Sequence, residues 1–474
     1  GSGTNNNAFS IDMDNPQVTG VTADIDPITD ANDGDPLTLT FTFDETMSGN
    51  IPTVDFPTEN PGATLTSGGT GWAASNTKFS QTYSITDNNL DLSAIDVRIN
   101  GAEDAQGNPM DAAYTEADLF SIDMANPTVS SLSTSTAMIT DANAGAGNFT
   151  ITLNYSEAMD GGSTPTVTFP TEDPTTTITQ DAGSSSWLDA DTYQAVYDVA
   201  TTDEELADVN IRVTGAKDTD GNTQQQKDQA DVFSIDTKNP SVSSITPNLD
   251  PITDANQGNG NFTITVVYDE AMTNDGSADP DVSFPAENPS STLTLASKSW
   301  NTNTEFVATY DVADNDQDLA AIDIAVNNGQ DAAGNTQGSE NQADKFSINM
   351  DNPQVTGVTA DIDPITDTDD GGTLTLTFTF DQAMTTNIPT VDFPNENPGA
   401  TLTSGATSWA VGDTEFSQTY SISDNNLDLN DIDVRINGAE DAQGNPMDAA
   451  YTGADLFSID MANPTVSSLS ASTA

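Results

Sequence analysis

One octad, Phe-Ser-Ile-Asp-x-x-Asn-Pro, returns at Phe9–Pro16, Phe120–Pro127, Phe233–Pro240 and Phe457–Pro464. A further copy, Phe346–Pro353, carries Asn349 in the fourth place. The Asn-Pro steps begin at 15, 126, 239, 352 and 463, so the intervals are 111, 113, 113 and 111 residues. A period of that size is long enough for a complete small domain and makes the chain an array of copies. Each interval also holds one tryptophan (Trp72, Trp187, Trp300, Trp409) and one Asp-x-x-Gly-Asn, at 104–108, 218–222, 331–335 and 441–445. The expected division is 1–13 (a tag and the end of a preceding repeat), then repeats at 14–125, 126–238, 239–351 and 352–462. Residues 463–474 then open a following repeat. Repeat four copies repeat one: Asp351–Asp367 reproduces Asp14–Asp30, a shift of 352 − 15 = 337 residues, or three repeats. Gly1-Ser2-Gly3 reads as a cloning remnant.

Within one repeat the apolar pattern has the period of strands. Leu37, Leu39, Phe41 and Phe43 alternate with threonines, and Phe79–Ile85 alternates in the same way. Strands are expected at 18–23, 37–44, 53–56, 79–85, 95–99 and 119–123, with no helical period anywhere. Gly, Pro, Asn and Asp punctuate the chain between them. The 18 Phe, 9 Tyr and 4 Trp supply enough apolar bulk for real cores. The fold class predicted is all-β: four tandem immunoglobulin-like β-sandwiches. The last strand runs into the next Asn-Pro almost without a linker, and proline stiffens that step. An extended rod is the expected arrangement.

Phe-Ser-Ile-Asp-x-x-x-Pro, Ala-x-Asp-x-x-Gly-Asn and the Phe-Asp-Glu-x-Met element at 43–47 together resemble the tandem bacterial immunoglobulin-like domains of large surface adhesins. The likeness covers essentially the whole chain, four times over. It implies extender repeats that bind calcium at domain junctions and project a terminal adhesive module from the cell surface.

Charge bears on the same point. Nine Lys+Arg stand against 75 Asp+Glu, a formal net charge of −66, and His and Cys are absent. Without His or Cys the chain cannot build a Ser-His-Asp or Cys-His nucleophile, a zinc finger or an iron–sulfur cluster. A polyanion repels nucleic acid and anionic lipid, so neither is an expected partner. No apolar run reaches the roughly 18 residues of a membrane helix.

Sandwich topology sorts the loops to two ends and gathers acids at each junction. The entry end of repeat one should hold Asp12, Asp14, Asn15, Glu45, Asp104 and Asn108, and its exit end Asp26, Asp30, Asp123 and Asn126. Repeat two supplies Glu157, Asp218 and Asn222, with Asp141, Asp236 and Asn239 at its exit. Repeat three supplies Glu270, Asp331 and Asn335, with Asp254, Asp351 and Asn352 at its exit. Repeat four supplies Asp441 and Asn445, with Asp367, Asp460 and Asn463. Lys and Arg are too few to neutralise these groups, and Ca2+ with six to eight oxygen ligands suits flexible loops. Asp-x-x-Gly-Asn is equally a tight-turn sequence, so turn chemistry stands beside ligand duty. Asp314, Asp316 and Asp318 read as a solvated acidic turn. Gln382 replaces the Glu of positions 45, 157 and 270, and Asn349 replaces the linker Asp, so the junction between repeats three and four should hold calcium more weakly or hold fewer ions.

The tryptophans are expected in the cores, with sugar-stacking platforms as the alternative. Met47, Met159, Met272 and Met384 read as core fillers. Arg98, Arg212 and Arg435 share a strand position and should pair with acids. Lysines at 78, 217, 227, 238, 298 and 345 do not recur between repeats, which excludes a general isopeptide device. The function expected is a non-catalytic, calcium-rigidified extracellular stalk segment of a cell-surface adhesin. Its partners would be neighbouring repeats, and glycans or other adhesin copies through other domains. The alternative is a glycan- or self-binding array.

Overall fold

A computed structural model describes residues 11–470 and 472. Phe9 and Ser10 of the first octad, and Gly1, Ser2 and Gly3, lie outside the described residues. The chain divides into two compact units, residues 1–238 and 239–474. Each unit contains two β-sandwiches, and each sandwich has its own core.

The first sandwich comprises β1 (Val18–Ala23), β2 (Ile28–Thr29), β3 (Pro36–Phe43), β4 (Thr53–Asp55), β5 (Leu65–Trp72), β6 (Lys78–Ile85), β7 (Asp91–Asn100) and β8 (Tyr114–Asp123). One sheet runs β1-β3-β6-β5 and the other β2-β8-β7-β4. All pairings are antiparallel except β2 with β8, where Ile28 faces Ile122. Alternation does what the pattern requires: Leu37, Leu39, Phe41 and Phe43 are buried, with threonines between them on the other face. They meet Ile95, Val97, Ile99, Phe120 and Ile122 of the second sheet in one core, which Met47 closes. Burial of each such side chain contributes about 1.5–3 kcal/mol.

The remaining sandwiches repeat this plan with local changes. In the second, the strand equivalent to β5 is interrupted, giving Ile178–Gln180 and Ser186–Trp187. In the third, Ile252 touches Ile348 through a lone bridge in place of a two-residue strand. The fourth matches the first strand for strand.

Expected strands at 18–23 and 79–85 fall where the structure places β1 and β6, to within a residue. Two expectations ran short. Strand β7 extends back to Asp91 and β8 back to Tyr114. The Gly/Ser/Thr stretch before Trp72, which no expected strand covers, is the edge strand β5, with a bulge between Ser67 and Thr70.

Candidate metal centre

Each Asp-x-x-Gly-Asn loop folds around its own aspartate. Asp104 Oδ1 accepts the backbone N–H of Gln106 and of Asn108, both at 2.8 Å, and its Oδ2 accepts Asn108 Nδ2 at 2.7 Å. Gly107 sits at φ +94°, a conformation that favours glycine. Burial works against the charge of Asp104, but the hydrogen bonds from Asn108, Gln106 and Gly107 prevail and hold its carboxyl below the ordinary range. The turn reading is therefore correct for the loop backbone. The same turn also presents a buried carboxylate to the incoming linker.

At the entry end of the first sandwich, Asn108 Nδ2 lies 3.4 Å from the carbonyls of both Asp12 and Asp14. Asp12, Glu45 and Asp104 each offer an oxygen within 4.8 Å of the others. Burial, then Asp104 and Asp12, pushes the Glu45 carboxyl up. Asn15 donates to Asp111, which the sequence reading had passed over.

Within the first unit the same arrangement joins two sandwiches. Asp123 ends β8, while Glu157 and Asp218 belong to the second sandwich, and their oxygens again lie within 4.8 Å of one another. Asn222 bridges two of the three: its Nδ2 donates to the Asp123 carbonyl (2.9 Å) and to Asp218 Oδ2 (2.8 Å). Its Oδ1 accepts Asp30 N–H at 3.0 Å. Asp30 starts a short 3-10 turn, fixed by Asn32 Oδ1 accepting Thr29 N–H. Burial first, then Asp218, Asp220 and Glu157, lifts the Asp123 carboxyl far above its usual range. Burial and Asp218 raise Glu157 as well. Two carboxylates with oxygens within 4.8 Å of each other repel by about 3 kcal/mol or more at an effective dielectric of about 20, before solvent screening. A divalent cation bound between them would remove that cost.

Of the other expected ligands, Asp26, Asn126 and Asn463 are hydrogen-bonded elsewhere. Asp26 Oδ1 accepts Ser121 N–H (3.0 Å) and its hydroxyl (3.2 Å), which ties β2 to β8. Asn126 donates to Asn89 Oδ1 at 3.0 Å, and Asn463 to Asn426 Oδ1 at 2.7 Å. Asp141 and Asp367 begin 3-10 turns like that of Asp30. Asp236 ends its strand opposite Glu205, and Asp460 ends its strand opposite Asp428. Glu270 is half-buried just after the strand Gly258–Tyr268, and Asn239 opens the second unit. Asp331 and Asn335 form the same closed loop as Asp104 and Asn108, with Nδ2 donating to Oδ2 at 2.8 Å.

In the second unit the joint between sandwiches keeps the scaffold but changes its charges. Asn445 Nδ2 donates to the Asn349 carbonyl and to Asp441 Oδ2, both at 2.9 Å, and its Oδ1 accepts Asp254 N–H at 3.0 Å. Gln382, in the place of Glu157, donates to the Asp351 carbonyl (2.9 Å) and to Asp441 Oδ2 (3.4 Å). An amide now bonds to Asp441 where a carboxylate would repel it. Burial, followed by Asp314, Asp441, Asp316 and Asp448, pushes Asp254 up to about 6. Asp314, Asp316 and Asp448 were not counted as ligands from sequence. The run Asp314-x-Asp316-x-Asp318 was the available signal.

The tryptophans pack. The Trp72 ring lies 5.5 Å from Phe43 and 5.2 Å from Phe79, and its Nε1 donates to the Asn50 carbonyl at 2.7 Å. Trp187, Trp300 and Trp409 are half-buried in the same manner. Arg98 pairs with Asp55 and Arg435 with Asp392, but Arg212 turns to Asp228. No helix among the described residues is long and apolar enough to cross a membrane. Comparison with protein-family models gave no match, and comparison with curated proteins gave none.

Proposed function

We propose that the chain is a non-catalytic stalk segment of a large, repetitive, extracellular bacterial surface adhesin, with joints stiffened by calcium. The observation that carries this reading is the Asp123–Glu157–Asp218 group, in which residues of two sandwiches bring three carboxylates within 4.8 Å. Asn222 ties Asp123, Asp218 and Asp30 together by hydrogen bonds that need no cation. Flexible oxygen donors of this kind suit calcium better than magnesium, which demands a tighter octahedron and gives up its waters reluctantly. The resemblance of the repeat motifs to adhesin extender domains supports the stalk role. The near-equivalence of four copies supports a structural role over catalysis, since a single active site gains nothing from repetition.

Thermal melts in millimolar calcium, millimolar magnesium and EDTA test the reading. A cation that binds only the folded joint stabilises by RT ln(1 + [L]/Kd), about 4 kcal/mol at a thousandfold excess over Kd. The expected result is a clear upward shift in calcium and little shift in magnesium. Identical melts in calcium and EDTA would defeat the proposal.

A further inference from the structure

The second sandwich is open along the side where its two sheets end. Thr166–Thr168 is the outer strand of one sheet and Ile178–Gln180 that of the other. Both line a cleft of about 410 Å³, within the roughly 300–1,000 Å³ usual for ligand sites. Its apolar part is Val167, Phe169, Ile178 and Tyr197, with the Phe169 and Tyr197 rings 6.3 Å apart. Thr168, Thr179 and Gln180 add exposed hydroxyls and an amide. Among the described lining residues none is basic. The one acid, Asp173, already accepts from the N–H and the hydroxyl of Thr175.

The cleft recurs in the fourth sandwich, at about 340 Å³, between Val391, Phe393, Leu402 and Tyr420. Its rim differs. Asp392 stands where the second sandwich has Thr168, and Arg435 holds it at 2.7 Å. Arg212, the counterpart of Arg435, turns to Asp228 and leaves the second rim uncharged at this point. Tyr83 and Tyr420 are pushed up to about 12 by burial and then by Asp55 and Asp392, which places that tyrosine beside the edge residue. In the second sandwich the edge residue is Thr168, and the Tyr197 hydroxyl is buried with no hydrogen-bond partner. Tyr197 is only 3 % exposed. Buried polar atoms are nearly always satisfied, so this hydroxyl is short of a partner. Gln180 stands directly opposite Tyr197 in the strand register, which puts both side chains on one face.

We infer that this cleft binds one ring of a neutral saccharide. A sugar ring has an apolar C–H face and a border of hydroxyls that both donate and accept. Phe169, Val167 and Ile178 suit the face, while Thr168, Thr179, Gln180 and the unpaired Tyr197 hydroxyl suit the border. A net charge of −66 and a cleft without a cation disfavour acidic or sulfated sugars. An extended peptide is a poorer occupant, because each flanking edge strand has three residues and offers too short a ladder. The cleft lies within one sandwich, so the inference stands apart from the calcium reading.

The test is titration of the full chain, in EDTA and in calcium, followed by saturation-transfer NMR. The probes are glucose, galactose, mannose and N-acetylglucosamine, glucuronate as the charged counterpart, and an uncharged threonine-rich peptide. The variants are Tyr197→Phe, which keeps the ring, and Gln180→Ala at an exposed position, so both chains should fold. Ser404→Ala, at the position of Gln180 in the fourth sandwich, is the control. The expected result is saturation of at least one neutral sugar and none of glucuronate, alike in EDTA and calcium. Affinity should fall about tenfold in Tyr197→Phe and in Gln180→Ala, each losing a hydrogen bond to the ligand, and stay unchanged in Ser404→Ala. The inference is overturned if no neutral sugar is saturated, or if both cleft variants keep the parent's affinity. Saturation of the peptide alone, lost in the cleft variants, would make the cleft a peptide site and overturn it equally.

Discussion

At the scale of single residues, the joints depend on an amide as much as on carboxylates. A carboxylate only accepts, whereas Asn222 donates to Asp123 and Asp218 and accepts from Asp30 at the same time. Asn445 repeats this between Asn349, Asp441 and Asp254. Both side chains are fully buried, so no water replaces the bonds when the amide is removed. Asn222→Ala should therefore cost about 2–3 kcal/mol, the combined loss of its bonds and the exposure of unpaired groups around it. The loss should appear in EDTA as well as in calcium, because the amide acts without the ion. A melt of the variant that falls only in calcium would assign Asn222 to ion binding alone.

At the scale of elements, the edge strand β5 shows what the packing secures. Its tip is Trp72, directly opposite Phe79 in β6, and the ring covers Phe43 as well. Truncation should free that hairpin end: Trp72→Ala is expected to cost about 2 kcal/mol, less than a fully buried aromatic. Hydrogen exchange should quicken in β5 amides while β8 stays protected, and unchanged β5 protection would show that the ring is ornamental to the sheet. The same strand marks the limit of what the sequence disclosed. Period-two alternation exposed β3 and β6, because one face of each is continuous core. It was silent for β5, where Ser67, Gly68, Gly69, Thr70 and Gly71 are all solvent-facing and a bulge breaks the register. Two-residue β2 was equally hidden, since its parallel bridge to β8 depends on a residue nearly a hundred positions away. The Asp-x-x-Gly-Asn loops were legible because the repeat displayed them four times. The pairing of Asp316 with Asp448 was not, because it depends on Asn352 lying between them, which only the fold places there.

At the scale of the whole molecule, the four cores share no residue. Within each unit, coupling between its two sandwiches must then pass through their joint, as in a chain of repeats with intrinsic and nearest-neighbour terms. Without a cation the joint in the first unit sets three carboxylates against one another, so its neighbour term is small or unfavourable. On the calcium reading proposed above, the ion would change the sign of that term. Differential scanning calorimetry in EDTA should accordingly show broad unfolding, with a van't Hoff enthalpy well below the calorimetric one. Calcium should raise the midpoint and bring the two enthalpies closer, because sandwiches joined by an ion unfold together. Simple screening of a net charge of −66 also stabilises, so sodium chloride at matched ionic strength is the necessary control. Salt should raise the midpoint without raising the enthalpy ratio. If sodium chloride reproduces both effects, the joints are electrostatic cushions rather than ion-locked couplings.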